Sequence, residues 1–166
     1  MSGLRSALAR GALAGVAGTV AMDLVWYRRF KQGGGESPFP KWEATGTIES
    51  WDEAPAPAQM GRKLIAGVTG KDVPVERAGA LNNVMHWAYG TTWATAYGLL
   101  AARRRRWWQG PALGAVVWGS DYVTLPLAGI YKPIWEYDVS TLWQDLSAHL
   151  VFGTAADATF RLLPSG

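Results

Sequence analysis

The stretch Ser140–Phe160, STLWQDLSAHLVFGTAADATF, decides how this chain folds. It holds 21 residues with no Gly–Pro turn and only two acids, Asp145 and Asp157. Asp145, His149, Gly153 and Asp157 recur every fourth residue, so on a helix they form one polar and small stripe. The rest is apolar or small, and at about 1.5 Å per residue such a helix spans a hydrocarbon core of roughly 30 Å. Three other stretches share this character. Gly79 to Ala102 has no formal charge, Trp107 to Tyr131 has only Asp121, and Gly11 to Tyr27 has only Asp23.

These runs sit in a chain of 166 residues that is 49% apolar but only 17% charged, with 20 Gly, 10 Trp and no Cys. A mean hydropathy of −0.01 hides the uneven distribution. The absence of Cys excludes a disulfide-stapled secreted domain, thiol catalysis and a Cys-ligated metal. The expected architecture is all-α: an antiparallel bundle of four membrane-spanning helices, over about residues 8–27, 79–102, 107–130 and 139–162. Small residues at four-residue spacing, such as Gly11 and Gly15, Gly90 and Ala94, or Gly110 and Gly114, suit close helix approach in lipid. For the first run a cleaved signal peptide is the competing reading, but Asp23 and the lack of a small-x-small cleavage site argue against it.

Residues 31–78 form a polar extramembrane loop that opens on the Gly33-Gly34-Gly35 linker. Trp42, Ile48 and Trp51 are too sparse there for a core. Pro55 and Pro57 introduce an amphipathic helix, Ala58 to Thr69, closed by Gly70. Met60, Leu64, Ile65 and Val68 share one face, which suits a membrane surface, a bundle cap or a partner groove.

The net charge of +3 does not read as a nucleic-acid surface. Its densest part, Arg103 to Arg106, stands between two apolar runs and precedes Trp107-Trp108, a membrane-interface pattern. Weighting that cluster orients the chain with both termini cytoplasmic and the polar loop outside. The lipid bilayer is then the main partner, with a homo-oligomer or larger membrane complex compatible with the small-residue faces and no nucleic acid expected.

Each run also carries ionisable or amide side chains: Asp23, His86 with Asn82 and Asn83, Asp121, and Asp145 with His149. By helical rise Asp23, His86 and Asp145 lie about 5 to 9 Å from the outer ends, and Asp121 and His149 about 7 to 14 Å. Antiparallel helices thus bring His86, Asp121, Asp145 and His149 to one level, with Asp23, Asn82 and Asn83 as accessory groups. Charged groups in lipid face the bundle interior and find partners. The set reads either as a structural polar network or as a site for a proton or divalent cation. Two imidazoles with carboxylates would suit Zn, Mn, Fe or Ni better than Cu(I). Haem between His86 and His149 is not expected, because their spacing matches no motif. Ser120-Asp121 and Ser147-His149 lack a nucleophile elbow, and the glycine run lacks a phosphate-loop Lys, so the residues favour no catalytic role. The alternative function is a non-catalytic structural or assembly subunit of a larger membrane complex.

Trp108-Gln109-Gly110, Gly114, Leu125-Pro126-Leu127-Ala128-Gly129, Pro133, Trp135 and Ala148-His149-Leu150 resemble the carboxy-terminal half of the YagU-like bacterial inner-membrane proteins. Asn83, His86 and Tyr97-Gly98 fit the same pattern, so the resemblance covers about residues 80–160. It implies a polytopic inner-membrane protein of a family without established chemistry, one member of which is linked to acid resistance. That member has His where this chain has Asp121, a departure that keeps a titratable group but transfers no ligand set.

Overall fold

The structure, a computed structural model, describes residues 2–44, 48–100 and 106–164, and among these it is all-helical with no strand. Arg103, Arg104 and Arg105, on which the orientation leans, lie outside the described residues. Four long helices account for the bundle: α1 (Ser2–Gln32), α4 (Ala78–Leu100), α5 (Gln109–Leu127) and α6 (Val139–Leu162). Between α1 and α4 come α2 (Phe39–Glu43) and α3 (Ala56–Thr69). The long helices fall on the four expected segments. Among the described residues, however, only one helix, over Gly3–Gln32, is long and apolar enough to cross a membrane by length and composition alone. Trp, Tyr, Asn, Thr and Gly dilute the apolar character of the other three, which their scarcity of charged residues conceals.

Local signals explain the boundaries. Asp138 caps α6 by accepting from the Thr141 amide at 2.9 Å, and this bonding with Thr141 holds the Asp138 carboxyl below the usual carboxylate range. α3 ends at Gly70, whose φ of +67° is the left-handed conformation that glycine adopts without steric cost. α1 runs past its apolar stretch because Arg28, Arg29 and Lys31 are themselves good helix formers.

α1 packs most extensively against α4 and α6, and α5 against α6. The paired registers run in opposite directions: Gly11 meets Thr95 while Gly15 meets Thr91, and Gly110 meets Thr154 while Gly114 meets His149. These helices are therefore antiparallel. A Cβ on Gly15 would stand 2.5 Å from the Thr91 Cα, and one on Gly153 would fall on the Gly110 carbonyl. The small residues are thus points of backbone contact.

The bundle buries an apolar core with a few polar groups set into it, and leaves large apolar side chains on its outside. The core cluster contains Ala14, Ala94, Ala148 and Ala156 beside Leu113, Val117, Phe152 and Phe160. Thr19, Asp23, His149 and Asp157 are buried among them. Outward on α1 stand Leu4, Leu8, Leu13, Val16, Val20 and Leu24. Val116, Val123 and Leu127 on α5, with Val139, Trp143 and Val151 on α6, extend that exposed surface.

One loop expectation needs correction. Trp51 and Ile48 do contribute to a small second cluster, with Ala54, Ala58 and Ala78, and Trp51 Nε1 donates to the Val73 carbonyl at 3.2 Å. Trp42 likewise joins Tyr27, Phe30 and Phe39 in an aromatic group that holds α2 against the end of α1. On α3 the face that packs is the small one: Ala58 and Gly61 are buried, and Gly61 abuts Met85 and Leu81 of α4. Leu64, Ile65 and Val68 stay exposed.

Gly153 and Gly119 make a direct test of the packing. Gly153→Val forces α5 and α6 apart and should cost about 3 kcal/mol of stability, the upper range of core overpacking. Gly119 has open space where its Cβ would lie. Gly119→Ala should therefore be neutral or stabilising by up to about 1 kcal/mol through helix propensity. Thermal unfolding in detergent, followed by circular dichroism, measures both.

Candidate functional site

At the loop-side end of the bundle the structure gathers the predicted ionisable residues into two groups around one cavity of about 420 Å³. The first group is centred on α6. His149 Nδ1 lies 2.9 Å from the Asp145 backbone carbonyl and 3.3 Å from Asp145 Oδ1, one helical turn away. A carbonyl oxygen only accepts, so Nδ1 carries a hydrogen and donates it. His149 Nε2 faces Asp121 Oδ2 of α5 at 3.3 Å. With Nδ1 already a donor, a neutral ring presents Nε2 as an acceptor, and a proton on Nε2 makes the ring an imidazolium. A single proton at this contact thus has two addresses, the Asp121 carboxyl and the His149 ring.

The surroundings of that contact come from every helix. The Tyr89 hydroxyl of α4 donates to Asp121 Oδ1 at 2.7 Å, with Ser120 Oγ 3.1 Å from the same hydroxyl. Tyr131, beyond α5, lines the cavity beside Asp145. Burial pushes the Tyr131 hydroxyl well above its usual value, and the carboxylates of Asp145 and Asp121 add to this. Arg29 of α1 reaches α6 above the cavity, donating to the Gln144 carbonyl at 2.6 Å and to Ser147 Oγ at 2.7 Å.

The second group joins α1 to α4. His86 Nε2 lies 2.9 Å from Asp23 Oδ1, and Asp23 is only 4% exposed. Asp23 Oδ2 is buried without a hydrogen-bond partner. Glu43 of α2 stands near this pair and accepts from Trp87 Nε1 at 3.0 Å. Burial and the nearby Asp23 carboxylate raise the Glu43 carboxyl, against the opposing pull of the Trp87 hydrogen bond and His86.

His86, Asp121, Asp145 and His149 therefore all border one cavity, as their common level along the helices predicts. Asn82 and Asn83 do something else. Asn83 Nδ2 donates to the Glu43 backbone carbonyl at 3.0 Å, and Asn82 donates to Asn83 Oδ1 at 3.2 Å, so they fasten the loop to α4. Asp157, on the same stripe as His149, belongs to the opposite end. There it pairs with Arg161 at 2.6 Å and accepts from the Tyr97 hydroxyl, while Arg161 also donates to Gln109 Oε1 at 2.9 Å. Tyr89 and Glu43 were not anticipated. Tyr89 follows His86 by three residues and so shares its face, a readable signal, whereas Glu43 arrives through the folding of the loop.

The divalent-metal expectation meets an obstacle. Among the described residues no three His, Cys, Asp or Glu side chains are placed to hold one ion. The physical reason is local: the Nδ1 hydrogen of His149 is committed to a carbonyl, and Nε2 faces a carboxylate instead of converging with it on a shared point.

The cavity lies where α4 and α5, unlike the other neighbouring pairs, lack extended contact. Met22, Met85, Val117, Leu125 and Phe152 give it apolar walls, and Pro55, Pro57 and Met60 of the α3 region close it at the loop end. Comparison with known proteins finds no matching family model, curated protein or solved structure.

α3 is tied in place by Arg62, which donates to both oxygens of Asp72 at 2.7 and 2.6 Å and lies over the Trp51 ring at 4.8 Å. The Arg62 hydrogen bond, with that of the Val73 amide, lowers the Asp72 carboxyl to about 2. Because the folded value lies below the ordinary one, the tie is fully present above about pH 4 and is lost as pH falls towards 2. Trp51 should therefore keep its wild-type fluorescence from pH 7 to pH 4, and Asp72→Asn should change it throughout that range. A wild-type transition near pH 5 to 6 would contradict this assignment.

Proposed function

We propose that this chain is a polytopic inner-membrane protein whose Asp121–His149 contact binds a proton in a cavity near the outer face. The observation that carries the proton reading is the commitment of His149 Nδ1 to the Asp145 carbonyl. It leaves Nε2, opposite Asp121, as the one ring position where a proton is gained or lost.

What supports the membrane reading is the apolar outer surface. Leu and Val stand exposed along α1, α5 and α6, while Thr19, Asp23, His149 and Asp157 are buried beside small residues and the apolar core. In water this arrangement forfeits hydrophobic burial, whereas in lipid it is the economical one, since dispersion and interhelical hydrogen bonds must then hold the helices. In this reading the four long helices span the bilayer with both termini cytoplasmic. The exposed edge of α3, with Leu64, Ile65 and Val68, rests on the outer membrane surface. Kinship with the YagU-like proteins over residues 80–160 forms part of the same proposal, and a titratable interior agrees with the acid-resistance link of one member.

Two measurements test these readings separately. Topology is read by single cysteines at exposed Glu36 and Trp107, since the chain has no Cys of its own. In intact cells an impermeant thiol reagent should label Glu36→Cys and not Trp107→Cys, and the reverse pattern would overturn the orientation.

The proton site is read from the ¹⁵N shifts of the two histidine rings between pH 4 and 9, assigned with His86→Ala. His149 Nδ1 should remain protonated throughout while Nε2 titrates. Asp121→Asn should move that midpoint by about one unit or more, the usual size of a carboxylate's influence at contact distance. An Nε2 titration indifferent to Asp121, or an unprotonated Nδ1, would refute the proton site.

A further inference from the structure

We infer that the cavity takes a monovalent organic cation with an apolar body, held at Asp121 in exchange for the proton. This rests on the proton-site reading and names the ligand class of that same site. The volume of about 420 Å³ lies in the range of small-molecule pockets, far above the space of a lone proton or water. Its chemistry then narrows the occupant.

Asp121 and Asp145 border the cavity, and among the described residues no Lys or Arg does. The basic groups on its wall are His86 and His149, and each already faces a carboxylate. An anion would meet two carboxylates without a fixed positive charge to offset them. A metal ion lacks three converging ligands. A neutral apolar molecule would strip water from those carboxylates and return nothing. A cation with an apolar body satisfies both parts of the wall: its charge replaces the proton beside Asp121, and its body fills the space between Met22, Met85 and Phe152. Tyr89 and Tyr131 add aromatic rings, which attract organic ammonium groups.

The route of access agrees with such a ligand. α4 and α5 lack extended contact, and Tyr89 and Thr124, which border the cavity from those two helices, are both exposed. In a bilayer that gap faces lipid, where an amphiphilic cation concentrates. No bond is made or broken beyond proton exchange. One cation binds, the proton shared by Asp121 and His149 leaves to solvent, and the cavity's charge is unchanged.

The probe is benzyltrimethylammonium, with its uncharged isostere neopentylbenzene as control. Binding is measured by calorimetry on the full chain in lipid nanodiscs at pH 8 and pH 5. The cation should bind saturably and at least tenfold tighter at pH 8, and at pH 5, where the site holds its proton, binding should release close to one proton per cation in a weakly buffered sample. Asp121→Asn should weaken binding at least tenfold. Thr124→Trp, which fills the opening and leaves every ionisable residue in the sequence unchanged, should do the same if Asp121→Asn fails to fold.

Equal binding of neopentylbenzene, no saturable binding by the wild-type chain, or unchanged binding in both variants would overturn the inference. If the His149 titration persists in such a case, only the ligand assignment falls. Selective cation binding with no proton released would overturn the exchange and the proton site together.

Discussion

Gly114 lies against the backbone carbonyl of His149, with no room for a side chain between them. Much of the cavity depends on that contact. The same seam brings Gly153 onto Gly110 and the backbone of Gly114, so α5 and α6 approach at backbone distance for about one and a half turns. Seven residues beyond Gly114, about two turns, Asp121 emerges on the same side of α5 and meets the His149 ring at 3.3 Å. A side chain at position 114 would push α5 outward and lengthen that separation beyond useful electrostatic contact. Glycine at this position therefore does two jobs, one in packing and one in setting the ion pair.

The bundle divides its polar groups between two ends with different characters. At one end Asp157, Arg161, Tyr97 and Gln109 satisfy each other closely, and Arg10 adds a 2.6 Å hydrogen bond to the Phe160 carbonyl while lying over its ring. That end has the form of a lock, fixing the register of all four long helices. At the other end the groups are looser. The His149–carboxylate distances are 3.3 Å, and a cavity separates α4 from α5. Phe152, buried in the core, borders the cavity. The contrast suits a molecule held rigidly at one end and left room to bind and release at the other.

Much of this was legible in the residues. Four-residue recurrence on α6 and a common depth for His86, Asp121, Asp145 and His149 follow from helical rise alone, and they are enough to bring these residues to one cavity. The all-helical class and the Gly70 cap were equally readable. Sequence reasoning failed where a side chain's partner arrives from a distant segment. Asn82 and Asn83 look like site residues because they neighbour His86, yet their direction on α4 carries them to the α2 backbone. On α3, spacing marks the apolar face of Leu64 and Val68 but not the packed one, where Ala58 and Gly61 make the contact because small residues let that helix sit close to α4. The apolarity of α4 to α6 was overstated for a related reason: absence of charge is a poorer measure than hydropathy when Trp, Tyr and Thr are abundant.

The proposed membrane placement turns on whether the exposed apolar face of the bundle meets lipid. Nitroxide labels at Val16 on α1, Val116 on α5 and Val151 on α6 probe three exposed positions near the middle of their helices. In reconstituted vesicles, power-saturation spectroscopy compares collision with oxygen, which favours lipid, against a polar nickel chelate, which favours water. The account predicts high oxygen and low chelate accessibility at all three sites. Chelate accessibility at all three matching that of a label at exposed Glu36 in the loop would contradict it.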